Sequence, residues 1–211
     1  MTLSRSAPCW PPRGGALLVN LPAKDGASPL YVACVYGHTE VVCALLSAGA
    51  KVDLPCNDGF SPLHVACQNG HTEVVRTLLS EGAKVDLLTK DGASHLHTAC
   101  QEGHPEVVRT LLLAGAKINL QNKDGGSPLH VACQEGYMEV VRALLSWGAK
   151  VDLQTTEGET PLHEACINGH TEVVGALLSA EAKINLVTKG RFSPLHVACQ
   201  EGHTEGVHAL L

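Results

Sequence analysis

Apolar residues recur along the chain in pairs of short blocks, each spaced like one face of a helix. Within residues 61–86 the first block covers residues 63–67 and the second covers residues 74–79. In the second block the apolar positions are separated by one, three and four residues, which is the spacing of a single helical stripe. The pattern therefore predicts two short amphipathic helices in this stretch.

Signals for the start and end of a helix flank both blocks. Ser61 is a good N-cap, and Pro62 suits the first helical position, where no backbone N–H is needed. Gly70 can adopt the left-handed conformation that ends the first helix, the second starts near Thr72, and Gly82 closes it. The segment that follows, AKVDLLTKDG, predicts a hairpin-like turn into the next pair of helices.

The same sequence motif recurs every 33 residues. Cysteines stand at this interval at positions 34, 67, 100, 133, 166 and 199, each within a version of SPLHVACQNGHTEVV. Five complete units follow from this period, at residues 25–57, 58–90, 91–123, 124–156 and 157–189. Residues 190–211 form a partial sixth, residues 16–24 resemble the tail of a preceding unit, and residues 1–15 are a Pro-rich segment that we expect to be disordered.

A 33-residue period around a T-P-L-H-x-A core resembles the ankyrin repeat family. The wider pattern D-G-x-[ST]-P-L-H-x-A-x-x-x-G-H-x-E-V-V-x-x-L-L-x-x-G-A covers residues 25–211. The resemblance implies a mainly α fold, an ankyrin-repeat α-solenoid of paired short antiparallel helices joined by β-hairpin-like turns. Helices of eight to ten residues are too short to be stable alone, so we expect each unit to depend on its neighbours.

Composition narrows the classes of function. The net charge of −6 lacks the basic footprint of most nucleic-acid binders, and no apolar run reaches the ~20 residues of a membrane span. Neither a secretion signal nor a P-loop, GxGxxG or GxSxG motif is present, so we expect no nucleic-acid partner, no cofactor and no enzymatic activity. Nine cysteines, an odd number, favour a reducing compartment, and we expect a cytoplasmic or nuclear monomer.

The periodic histidines and cysteines raise the possibility of metal sites. His64 and Cys67 share one helix face, but zinc needs about four donors converging at ~2.0–2.3 Å, whereas the same motif in the next unit lies ~8–10 Å away. We therefore interpret Cys67 as a small buried hydrophobe, and the resemblance implies that His64 hydrogen-bonds backbone in adjoining turns. HEAC at His163 cannot complete HExxH, because Ile167 stands where the second histidine is needed.

Three further cysteines and five histidines lie outside that core. Cys43 and Cys56 are predicted to be exposed thiols, and Cys9 lies in the Pro-rich segment; redox sensing is the alternative to an ordinary thiol. The turn histidines, of which His71 is typical, are predicted to stabilise the turn between the two helices.

In a solenoid, binding falls to positions that vary between units. The resemblance places these at the hairpin tips and the last turn of the first helix, lining a concave groove for protein recognition. Our candidate partner-binding residues are Tyr31, Val35, Tyr36, Asp58, Phe60, Gln68, Asn69, Asp91, Gln101, Glu102, Asp124, Gln134 and Glu135. The tyrosines, Val35 and Phe60 form an apolar anchor of the kind enriched at binding hot spots, unless they only cover the end of the stack. The others make the groove polar and mildly acidic.

The leading hypothesis is a non-catalytic scaffold or adaptor that binds a protein. The runner-up is the targeting or regulatory region of a larger enzyme or channel, because neither end has a clear capping unit and we expect a fragment or isoform of a longer protein. The resemblance also allows Asn20, Asn119 and Asn185 as hydroxylation targets. Glu181, Gly206 and the Gly190–Arg191 pair break the pattern, so we expect stability to fall toward the C-terminus.

Overall fold

The computed structural model describes residues 18–211, and the predicted disordered segment 1–15 and Cys9 lie outside them. Twelve short α-helices follow one another in residues 29–210, and no named strand occurs in the described part of the chain. They are α1 Pro29–Val35, α2 Thr39–Ser47, α3 Pro62–Gln68, α4 Thr72–Ser80, α5 His95–Gln101, α6 Pro105–Leu113, α7 Pro128–Glu135, α8 Met138–Ser146, α9 Pro161–Ile167, α10 Thr171–Ser179, α11 Pro194–Glu201 and α12 Thr204–Leu210. The mainly α solenoid predicted from the sequence is confirmed.

Odd-numbered helices begin every 33 residues and start as the sequence predicts. In α3 the Ser61 hydroxyl accepts a hydrogen bond from the His64 backbone N–H, and the Ser61 N–H donates to Nδ1 of His64. This reciprocal capping satisfies donors that a helix start leaves unpaired. Pro62 occupies the first turn, where the missing N–H costs no hydrogen bond.

The core is a row of leucines, valines, alanines and cysteines running along the stack. Odd-numbered helices pack on the odd-numbered helices of neighbouring units, and even-numbered on even-numbered. Leu96, Leu111 and Leu129 are fully buried, as are their counterparts in most other units. Each such leucine contributes about 1.5–3 kcal/mol of hydrophobic stabilisation, so an isolated pair of helices would lose most of its driving force.

Imidazoles connect neighbouring units in both directions along the stack. Toward the next unit, Nε2 of His97 donates to the Gly126 carbonyl oxygen, with an N–O distance of 3.0 Å. Toward the preceding unit, Nε2 of His71 donates to the Val35 carbonyl oxygen, also at 3.0 Å. His104, His170 and His203 bond to the preceding unit in the same way, so these histidines link units, and their role within the turn stays a prediction. Unit four has Tyr137 at the position of His71, and its ring lies against Gly103.

Two non-glycine residues adopt left-handed backbone conformations near the C-terminus. Glu181, where other units have the helix-closing glycine, has a φ of 63°, and Arg191 has a φ of 65°. The turn of the sixth unit forms despite its Gly190–Arg191 pair, since the Thr188 N–H donates to the Phe192 carbonyl oxygen at 2.9 Å. The turn is kept at the expense of backbone strain in Arg191.

The first and last described units have less burial. Val41 is 47% exposed, whereas Val74 at the same position in unit two is 1% exposed. Cys199 is exposed although its five periodic counterparts are buried, and Cys56 is half-buried rather than exposed as expected.

Asn20 behaves like a repeat residue, because its side-chain oxygen accepts from the Lys51 N–H at 2.7 Å, as Asn119 does from Lys150. The exact unit boundaries stay a prediction.

Candidate functional site

Most of the predicted binding residues are exposed to solvent. Those at the tips are Asp58, Asp91 and Asp124, and those at the ends of first helices are Tyr36, Gln68, Asn69, Gln101, Glu102, Gln134 and Glu135. Tyr31, Val35 and Phe60 are instead half-buried and pack against the core. The framework residues beside them are buried, so most of the predicted residues lie on the solvent-exposed surface of the stack.

The predicted apolar anchor is divided between different neighbours. The ring of Tyr36 stacks on His38, with 6.0 Å between ring centroids, while Phe60 contacts His64 edge-on at 5.6 Å. Tyr31 lies near Cys56, and burial followed by that thiol raises its pKa to about 12. Tyr36, with 66% of its surface exposed, is the member of this set most available to a partner.

A groove is observed at units four and five, between two tips and two first helices. This section has a volume of about 370 Å³, and Asp124 and Gln134, both predicted, line it. The remaining lining residues are Asn122, Gly126, His130, Val131, Thr155, Thr156, Glu157, Glu159 and Glu164. None of the eleven is a lysine or arginine, so the section is acidic.

The groove continues onto unit six. A neighbouring section of about 450 Å³ shares Glu157 and Glu159 with the first and adds Glu201. Its apolar lining comes from Ile167, Phe192 and Val197. Together the two sections, which we call the acidic groove, combine an apolar lining with carboxylates.

Glu164 is the unusual residue of the acidic groove. It lies on α9 where units one, two, four and six have valine, and its side chain is half-buried. Burial, and after it the charge of Glu159, raises the pKa of Glu164 to about 7. Within residues 18–211 its carboxylate forms neither a hydrogen bond nor an ion pair, whereas Glu157 pairs with Lys189 at 3.4 Å. The acidic groove thus contains a carboxylate with unused hydrogen-bonding capacity.

A pair of buried imidazoles lies at the junction of units two and three. The rings of His64 and His95 are 3.8 Å apart between centroids, and His95 replaces the proline that opens the other odd-numbered helices. The Ser61 hydroxyl lies 2.9 Å from Nδ1 of His64 and 3.1 Å from Nε2 of His95. It has one proton and can donate to only one of them.

His64 departs here from its expected bonding. Its Nδ1 accepts from the Ser61 N–H as predicted, which places the ring proton on Nε2, and that Nε2–H has no hydrogen-bond partner. The carbonyl oxygens of Ala93 and Leu87 favour the protonated form of the His64 ring, although neither meets the geometric criteria for a hydrogen bond with it. Burial, followed by the His95 ring, lowers the pKa of His64 to about 3, and burial lowers that of His95 to about 4. Both rings are therefore neutral at neutral pH.

The five buried periodic thiols are not placed for chemistry. Burial raises the pKa of Cys34 and Cys166 to about 12 and raises the pKa values of Cys67, Cys100 and Cys133 further. Because the thiolate is the nucleophile and the metal ligand, these side chains act as packing groups. Among residues 18–211, no three His, Cys, Asp or Glu side chains are arranged to hold a metal ion. No helix in that range has the length and apolar character to cross a bilayer.

Of the residues that line the acidic groove, sequence reasoning selected Asp124 and Gln134. Glu159 and Glu164 were visible as departures from the repeat, one at a tip and one on a first helix, but they were not selected as binding residues. Phe192, Val197 and Glu201, which lie in the partial sixth unit, were not selected either. The signal for Glu159 and Glu164 was that each differs from all of its 33-residue counterparts.

Comparison with known proteins supports the resemblance seen in the repeats. A family model described as ankyrin repeats matches in three copies, over residues 15–89, 81–155 and 148–211. Among curated proteins, none matches the chain. Ankyrin repeats are in general protein–protein interaction modules and are typically non-catalytic. The chain belongs to the ankyrin-repeat family.

Proposed function

We propose that this protein is a non-catalytic scaffold or adaptor that binds a protein partner through the tips and the ends of the first helices. The observation that carries the proposal is the division of the surface: framework residues are buried in the stack, while most candidate residues at the tips and at the ends of the first helices are exposed. A stacked framework with a variable edge suits recognition of an extended surface.

The contact region proposed for the partner has two parts. Tyr36 is an exposed aromatic residue at one end of the stack, and aromatic residues carry much of the energy of protein interfaces. The acidic groove lies toward the other end, with a combined apolar and charged lining. We further propose a cytoplasmic location, because the eight described cysteines are free thiols.

Affinity capture from lysate with quantitative mass spectrometry tests the proposal. The double variant Tyr36→Ala with Phe60→Ala should lose at least one partner by tenfold or more. Its control is Leu113→Ala with Trp147→Ala, which removes two large apolar side chains, both exposed, from the ends of second helices. The control should retain the partner. Equal recovery of every protein with both variants would show that Tyr36 and Phe60 only cover the end of the stack.

A further inference from the structure

The residues that line the acidic groove indicate what kind of partner segment would bind there, which the pattern of buried and exposed residues alone does not. We propose that Glu164 makes this groove a docking site for an extended segment of a partner protein carrying a lysine or arginine beside an apolar residue. The inference rests on the proposed function, since it names the kind of partner segment that the groove would take.

Shape and apolar lining come first. The two sections, about 370 and 450 Å³ in volume, share Glu157 and Glu159, so one extended segment can lie along both. Val131 lines the first section, and Ile167 with Phe192 lines the second, so an apolar side chain has a surface to bury against. An extended peptide advances about 3.3 Å per residue, which places neighbouring side chains in different parts of the groove.

The charge of the residues that line the groove favours a basic side chain beside the apolar one in the partner segment. Asp124, Glu159 and Glu164 face the first section, no lysine or arginine lines either section, and Glu157 is the carboxylate already paired with a lysine. A cation entering the groove meets a net negative field even with Lys189 paired to Glu157, while an acidic segment would be repelled.

Glu164 distinguishes this groove from a merely acidic surface. It replaces a valine, so a side chain that could have been apolar is instead a half-buried carboxylate without a partner in residues 18–211. Leaving a carboxylate partly desolvated is costly unless something neutralises it. An ammonium or guanidinium group from a partner would supply the missing hydrogen bonds, and in this partly dry position the pair would be stronger than on an open surface.

The electrostatic surroundings of Glu164 provide an independent readout. The titratable groups near it are Asp124 at the tip of unit four, Glu157 and Glu159 at the tip of unit five and, on α7, His130 and Cys133; the last two stay neutral. None of the residues lining this section comes from α10 or α11. A bound cation lowers the pKa of Glu164 below its value of about 7, so binding at pH 7 should release a fraction of a proton.

The test uses the full chain and a displayed library of random twelve-residue peptides. Peptides selected by the wild-type protein should carry a lysine or arginine at a constant position next to an apolar residue. The variant Glu164→Val installs the residue found in four other units, so the fold is retained, and it should bind those peptides at least about tenfold more weakly. The control is Glu172→Gln. Glu172 is an exposed residue of α10 outside the groove, so this variant removes the same charge and should bind within about twofold of wild type.

Calorimetry of a selected synthetic peptide in two buffers of different ionisation enthalpy should show proton release by wild type and none by Glu164→Val. Selected peptides without a basic position, or equal weakening by Glu164→Val and Glu172→Gln, would overturn the inference. Partner loss with the Tyr36 and Phe60 variant would still stand in that case, so the proposed function and this inference can fail separately. A library that yields no binding peptide also overturns the inference.

Discussion

Mild acid should destabilise the stack, because several buried imidazoles are kept in the neutral form. The pKa is lowered to about 3 for His64 and about 4 for His95 and His130, in each case chiefly by burial. The unfolded chain binds a proton at each imidazole below a pH of about 6.5, and the folded chain does not. These histidines therefore do not reduce the free energy of unfolding above pH 6.5, and they reduce it increasingly as the pH is lowered toward their folded pKa values.

The size of the effect follows from the difference between pH and the unfolded pKa. At pH 5.0 each of these histidines should lower the free energy of unfolding by about 2 kcal/mol relative to neutral pH, since one pKa unit corresponds to about 1.36 kcal/mol. Glu164 acts in the opposite direction, because its raised pKa lets the folded state take up a proton between pH 7 and 4.5. The total pH dependence is thus a sum of opposing contributions.

A single substitution isolates one imidazole. His95→Pro restores the residue that opens the five other odd-numbered helices. Between pH 7.5 and 5.0 its free energy of unfolding should fall by about 2 kcal/mol less than that of wild type. Urea unfolding followed by circular dichroism at several pH values measures this, and the comparison of slopes does not depend on the stability of the variant at pH 7.5.

The control is His208→Gln, which removes an exposed imidazole near the C-terminus. Its curve of unfolding free energy against pH should run parallel to that of wild type. If the His95→Pro curve were also parallel, the buried pair would not be held neutral and the reasoning from burial would be wrong.

Three further predictions concern the backbone and the gradient of stability. Glu181→Gly and Arg191→Gly should each raise the free energy of unfolding by about 1 kcal/mol, because glycine removes the strain of a left-handed residue; thermal unfolding measures this, and an unchanged or lower midpoint would contradict it. Gly70→Ala should destabilise more than Gly82→Ala in urea, since a Cβ at residue 70 would lie 2.7 Å from the His104 ring while one at residue 82 meets open space; equal losses would count against that contact. Amide hydrogen exchange should be fastest over residues 190–211, and uniform protection along the stack would refute the expected gradient.

The fold could be predicted because its information is local and repeated. Ser61, Pro62 and Gly70 specify the start and end of one helix, and a period of 33 multiplies that evidence across the chain. The left-handed Arg191 could not be predicted from such rules, because the neighbouring units impose a turn that arginine itself disfavours.

The binding surface was less accessible to sequence reasoning. The exposure of Tyr36 followed from its place at the end of a first helix, and it was predicted. The partial burial of Glu164 depends on the tip of its own unit and on α7, which come together only in the folded stack. In the same way, the contact between His64 and His95 joins two units, and the sequence showed only that a proline was missing.

The imidazole links between units have a consequence for how the protein is made. The His71 ring reaches a carbonyl 36 residues earlier in the chain, and the His97 ring reaches one 29 residues later. Every such bond forms between adjacent units. A pair of helices leaving the ribosome therefore finds its bonding partners in the unit translated just before it or in the unit translated next. The nascent chain can consequently be built up in order, and a pause in translation leaves a single open face rather than an unfolded whole.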